Sequence, residues 1–241
     1  MYNKEWSLEP FLSMSRPPRT ILGDTVYHVI NRSNNRVPLF EKEGDYRAFD
    51  EVIEEAKERH NMRILAYCTM PNHWHFLLYP RNDGDLPLFM GWLTLTHTQR
   101  WRASHNTIGN GHLYQGRYKS FPVQTDDYFL TVCRYVEQNP LRAGLVTNAL
   151  DWRWGSLWRR EYGTLEQTLL LDEWPTPKPS YYLSFVNELE HASHLTSIRT
   201  SVNKGQPFGK SDWVRTITKK LGLESTFYNP GRPKNGSRDH F

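Results

Sequence analysis

Two cysteines in 241 residues, Cys68 and Cys133, exclude a disulfide framework and suit a reducing compartment. Long apolar runs are missing as well. No stretch approaches the roughly 18 consecutive apolar residues of a membrane helix, and the mean hydropathy is −0.71. The opening residues, MYNKEWSLEPFLSMSRPPR, have no apolar core behind their charges, so they do not read as a secretory signal. No internal repeat is visible. These absences lead us to expect a soluble, cytoplasmic protein with no membrane partner.

Charge is nearly balanced in total, with 30 Lys+Arg against 26 Asp+Glu and a net of +4, but it is unevenly placed. Residues 1–160 hold 20 bases and 17 acids, residues 161–198 hold Lys178 alone against six acids, and residues 199–241 hold nine bases against three acids. A basic body and a more basic tail, separated by an acidic stretch, fit a polyanionic partner. Ordinary surface charge is the plainer alternative.

The sequence divides into four parts. Residues 1–20 read as a basic arm, with Pro10, Pro17 and Pro18 beside Arg16 and Arg19. Residues 21–160 carry clear periodicity. A β-rich strand at 25–31 (TVYHVIN) is followed by a polar loop and then a helix at 45–60, capped by Asp45, with Phe49, Val52, Ile53 and Ala56 as its apolar stripe. Two strands lie within 63–80, joined at Met70-Pro71-Asn72. A helix follows over 86–103, then a strand over 114–123, then a helix from Thr125 or Asp126 to about Gln138. The order is the α+β, ferredoxin-like βαββαβ arrangement: an antiparallel sheet with helices on one face, the other face left open for a site, and a further helix behind. The tryptophan- and arginine-rich segment 151–160 reads as docking on its own domain or as a base-stacking patch. Residues 161–198 read as an acidic linker with a helical segment near 181–197. Residues 199–241 form a basic extension with a capped helix at 211–221 and a final basic tail, NPGRPKNGSRDHF.

The chemistry centres on His73-Trp74-His75. Side chains two apart on a strand share a face, so both imidazoles project together while Trp74 and Phe76 point into a core. Such a pair can hold a metal ion or simply decorate a polar sheet face. Downstream, Tyr135 and Asn139 are four apart and share a helix face. A phenol near a divalent ion is a candidate nucleophile for a phosphodiester, with Mg²⁺ or Mn²⁺ polarising a non-bridging oxygen. Equally, Tyr135 can be a core-edge tyrosine, and Asn139 can cap a turn that Pro140 begins.

The motifs MPNHWHFLL, GRYKSFPV and RYVEQNPLRAGLV, in that order and after TVYHVINRSNNR, resemble the single-tyrosine HUH transposases, most closely the REP-associated tyrosine transposases. The resemblance covers roughly residues 16–160. It implies that His73 and His75 bind Mg²⁺ or Mn²⁺, with Asn139 where the family places a third ligand. It implies that Tyr135 attacks single-stranded DNA to give a 5′-phosphotyrosine and a free 3′-OH, a step reversible without ATP. It also implies hairpin DNA as the partner and action as a monomer or homodimer. On that reading Arg16, Arg19, Arg32 and Arg36 contact the hairpin, while Arg117, Lys119, Arg134 and Arg142 lie nearer the active site; each is otherwise a solvated charge. Two further readings compete: a non-catalytic hairpin-binding relative, and a metal-dependent nuclease that uses water. The basic extension reads either as a DNA-affinity module or as a regulatory tail.

Overall fold

Strand β1 (Val26–Arg32) lies inside a four-stranded sheet, paired antiparallel with two neighbours. The computed structural model describes residues 20–189 and 192–228. Helix α1 (Glu43–His60) leads to β2 (Arg63–Met70) and β3 (His73–Tyr79), and helix α2 (Asp85–Ser104) leads to β4 (Lys119–Val123). The sheet order is β2-β3-β1-β4, the ferredoxin-like topology that the element order predicts. Among the described residues, no helix is long and apolar enough to cross a membrane.

Alternation along the strands sorts the core into two layers. Tyr27, Val29, Trp74, Phe76 and Leu78 pack against α1 and α2. Val26, Cys68, Leu77, Phe121 and Val123 point the other way. That second face is not open, as the sequence had suggested. Helix α3 (Asp127–Glu137) lies on it through Phe129, Val132, Cys133 and Val136. The short helices α4 (Asn139–Arg142), α5 (Ser156–Tyr162) and α6 (Leu165–Thr168) follow, then α7 (Tyr182–Asn187), α8 (Ala192–Lys204) and α9 (Ser211–Leu221). Tyr182, Val186 and Ile198 of α7 and α8 complete the second layer. The cause is visible in β2, which is apolar on both faces, and in Leu77, Phe121 and Val123 on the second face of its neighbours.

Local chemistry fixes the helix starts. Helix α3 begins where Asp126 accepts a hydrogen bond from the Tyr128 N–H at 3.0 Å. Helix α1 begins before Asp45, whose carboxylate reaches back to the N–H groups of Glu41 and Lys42 at 3.0 and 3.2 Å. The strand expected over 114–123 is regular only from Lys119; before it, Tyr114 makes an isolated bridge to Ser33.

The tryptophan-rich segment docks on its own domain. Trp152 Nε1 donates to the Thr69 carbonyl at 3.0 Å, and Trp154 stacks on Tyr46 with centroids 4.7 Å apart. The stretch read as an acidic linker is packed too. Strand β2 is an edge of the sheet, with a register shift between Ile64 and Ala66, and the Asp172 N–H and Trp174 Nε1 donate to the carbonyls of Ile64 and Leu65, both at 2.9 Å. The single helix expected near 181–197 divides into α7 and α8. Both sheet edges are covered from beyond residue 150: the Thr69 N–H donates to Trp154 on the β2 side, and the Phe208 N–H donates to Pro122 on the β4 side.

Helix α3 is held from behind through Glu137. This buried carboxyl meets Ser156 Oγ at 2.5 Å and the Tyr182 hydroxyl at 2.7 Å. Ser156 Oγ also accepts from the Tyr67 N–H at 2.9 Å and lies 3.1 Å from the Tyr67 carbonyl. One hydroxyl hydrogen cannot serve both acceptors. The count closes when Glu137 is protonated and donates to Ser156, and burial raises its pKa in that direction. Glu137→Gln, which keeps a donor and an acceptor, is therefore expected to cost under about 1 kcal/mol, whereas Glu137→Ala should cost about 3 kcal/mol by leaving two buried hydroxyls short of partners. Urea unfolding of the two variants checks this.

Candidate active site

Strand β3 begins at His73, directly after the turn at Pro71-Asn72, and its alternation places His73 and His75 on the second face with ring centroids 5.1 Å apart. The register sets Arg32 opposite His73 and Ile30 opposite His75. His28, two residues earlier on β1, therefore shares that face. Its Nε2 lies 2.9 Å from His75 Nδ1.

Both histidines of the pair are oriented through Nδ1. Asn72 Oδ1 can only accept, so at 2.7 Å it fixes the proton on His73 Nδ1 and leaves Nε2 with its lone pair. His28 holds His75 in the same manner when His75 Nδ1 is the donor. Burial is the main cause that pushes His73 down to about 4, helped by the charges of Arg32 and Arg142, and it pushes His28 down to about 3. Burial drives His75 well below the ordinary range, with His73 and His28 adding to the effect. All three are neutral at pH 7, the state a metal ligand requires. An oriented Nδ1 and an available Nε2 are the outer-shell pattern of a metal-binding histidine; His73 has it, and His75 has it in the tautomer whose Nδ1 donates to His28, in which the pair fits a divalent ion. Among the described residues, no three His, Cys, Asp or Glu side chains group as a complete metal site. Any remaining ligands would be other protein oxygens, substrate or water.

Helix α3 brings Tyr135 over this face. The ring is 7% exposed, and its centroid is 5.8 Å from His75 and 6.1 Å from His28. The Arg142 guanidinium lies 4.3 Å from the ring centroid and donates to the Tyr135 carbonyl at 3.0 Å. Asn139 is buried just beyond. Pro140 has no N–H for the Val136 carbonyl four residues back. The Asn139 side-chain amide supplies donors there instead, to Val136 at 3.2 Å and Tyr135 at 3.0 Å. This lets α3 run almost directly into α4. The Asn139 Oδ1, the atom a metal would use, accepts from Arg142 at 2.8 Å.

The other residues expected to contact DNA fall into three groups. Arg32 is half-buried at the His73 end of β1, whereas Arg36, Arg117 and Lys119 are exposed. Arg134 is 4% exposed, donates to the Glu188 carbonyl at 2.8 Å and lies 4.2 Å over the Phe185 ring. The structure corrects its assignment to DNA: it fastens α3 to the chain beyond α7. Arg16 and Arg19 lie outside the described residues. Two roles were not read from sequence. His28 sits in the visible strand pattern, but its meeting with His75 depends on register. Arg142 was placed near the site without its contacts to Tyr135 and Asn139.

Buried neutral histidines make stability depend on pH. Their folded pKa lies below the ordinary value of 6.5, so the unfolded chain binds more protons as pH falls below it. The stabilisation is complete above pH 6.5 and is lost on acidification, by about 1.4 kcal/mol per pH unit for each such histidine. His97, also pushed down to about 3, lies in the other layer against Phe49 and Tyr114. The thermal midpoint should fall steadily between pH 7 and pH 5, and His97→Gln should reduce the slope by about one proton.

Comparison with known proteins finds three kinds of similarity. Residues 22–139 match the family model of IS200-like transposases. A candidate REP-associated tyrosine transposase of Haemophilus influenzae is 21% identical over 119 residues, covering 46% of this chain and 68% of that protein. The structure of a REP-associated tyrosine transposase bound to a REP hairpin is 22% identical, with a TM-score of 0.49, covering 61% of this chain and 84% of that one. A candidate transposase of Deinococcus radiodurans is 16% identical, with a TM-score of 0.37, covering 51% of this chain and 93% of that one. The stretch that matches the IS200-like transposase model, residues 22–139, holds the whole sheet, the helices on its first face and the tyrosine-bearing helix.

Proposed function

We propose that this protein cleaves and rejoins single-stranded DNA beside a hairpin, with Tyr135 as nucleophile. The observation that carries the reading is the approach of Tyr135 on α3 to His75 on β3, at 5.8 Å between centroids, above a neutral histidine pair. In the step, the Tyr135 phenolic oxygen bonds to phosphorus and the phosphorus–O3′ bond breaks. The departing DNA oxygen takes a proton and leaves as a 3′-OH, and the protein keeps a 5′-phosphotyrosine. A second 3′-OH reverses the exchange, so bond count is conserved and no nucleotide triphosphate is consumed. His73 and His75 would hold Mg²⁺ or Mn²⁺, whose contribution is to polarise the phosphate and stabilise its developing charge. Arg32 and Arg142 set positive charge beside the same pair. The hairpin partner is proposed from the family match and from the relatives' association with REP sequences. We place the activity in the cytoplasm, where the free thiols Cys68 and Cys133 stay reduced.

One observation favours a second reading, a hairpin-binding protein without cleavage. Asn139 Oδ1 is engaged by a cation, Arg142, at 2.8 Å rather than turned to the histidines. Incubation with single-stranded repeat DNA and Mn²⁺, followed by a denaturing gel, separates the two. The strand-transfer reading expects a protein–DNA adduct that Tyr135→Phe abolishes while hairpin affinity changes less than about threefold. An adduct that survives in Tyr135→Phe removes the nucleophile assignment. Salt-sensitive binding with no cleavage by the wild type supports the second reading.

A further inference from the structure

The extension beyond the transposase match is not a detached tail. It lies along the outer edge of β4. Phe208 exchanges backbone hydrogen bonds with Pro122 and Gln124 at 2.9 and 3.0 Å, and Ile198 and Ser201 of α8 are buried. Helix α8 ends at Gly205, whose φ of +76° turns the chain back while a Cβ there would stand 3.7 Å from the Ser120 carbonyl. This docking leaves a cleft of about 980 Å³ between the sheet and the extension. Ile30 and Lys119 line the sheet side, Arg117 the loop side, and Asn203, Lys204 and Thr226 the extension side.

Its chemistry is one-sided. Arg32, Arg117, Lys119 and Lys204 line it, and among the described residues no carboxylate does. Its aromatic lining residue, Tyr27, is 1% exposed, so there is no open ring on which a base could stack. A groove with cations and without stacking platforms grips phosphates rather than bases. Part of its sheet wall adjoins the histidine-bearing strand. Arg32 and Ile30, which line it, are the β1 partners of His73 and His75, and Lys119 is the β4 partner of Ile30.

We propose that this cleft binds the phosphodiester backbone of a single DNA strand and guides it to the histidine pair, with the C-terminal extension supplying one wall through Lys204 and Asn203. The ligand class, DNA, rests on the function proposed above. The extension thereby acts as part of the substrate channel, and its grip is tolerant of sequence.

The test is binding of a short oligothymidylate and, separately, a blunt-ended hairpin to the full chain without added metal. Lys204→Glu and Lys119→Glu should each weaken oligothymidylate binding about tenfold and blunt-hairpin binding less than about twofold. Lys204→Gln, which only removes the charge, should lower the slope of log affinity against log salt by about 0.7, and it keeps the test open if the charge reversal misfolds. Arg47→Glu, a reversal on exposed α1, controls for net charge. Unchanged oligothymidylate binding in the Lys204 variants, or an equal loss in Arg47→Glu, overturns the proposal. A wild type that shows the expected binding pattern yet never forms the Tyr135 adduct leaves the cleft in place and removes the strand-transfer reading instead.

Discussion

Strand β2 is apolar on both faces and β3 is buried on both, and a sheet of that kind is stable in water only when each face is covered. Helices α1 and α2 can cover one face, because both crossovers of a βαββαβ chain fall on the same side. The second face must be covered by chain that comes later. This requirement brings α3 onto the histidine-bearing face, and α3 carries Tyr135. The same packing that excludes water from the core thus sets the candidate nucleophile over the candidate metal ligands. The arrangement follows from burial rather than from any direct bond between tyrosine and histidine.

Covering chain must itself be held. Glu137, Arg134 and Gln138 leave the back of α3 and its end and meet Ser156, Tyr182, Val186 and Glu188. Those partners lie beyond the transposase match, so the later part of the chain belongs to the mechanical support of the site. It also covers both sheet edges, which would otherwise present unpaired backbone groups. Residues 161–189 and 192–228, which look in composition like a linker and the start of a tail, are therefore structural parts of the domain.

Burial also shapes the electrostatics. His28, His73 and His75 are packed closely enough to stay neutral, and two guanidinium groups, Arg32 and Arg142, stand beside them. Guanidinium groups beside the pair are suited to an anionic phosphate substrate and to the charge that develops on it. Asn139 shows how one side chain meets two demands. Its amide nitrogen serves the Val136 carbonyl that Pro140 leaves without an N–H donor, together with that of Tyr135, and its oxygen accepts from Arg142.

Much of this was legible in the residues. Period-two alternation showed that His73 and His75 face one way and Trp74 the other, because that follows from strand geometry alone. Helical spacing gave α1, α2, α3 and α9 to within a few residues, and the element order gave the sheet. What sequence could not show was anything that depends on which distant residues meet. The contact between His28 and His75 depends on strand register. The burial of Arg134 depends on α7, since an arginine on a helix looks the same whether it faces solvent or a phenylalanine. The packing of residues 161–189 depends in part on the free edge of β2, whose carbonyls accept from Asp172 and Trp174. Sequence by itself determined the local conformations and the pairings two or four residues apart, because short-range sterics and hydrogen bonds set those. Only the tertiary structure decided that the second face is closed, that α3 closes it, and that a basic cleft lines its edge, because burial and charge are shared among segments that the chain order keeps far apart.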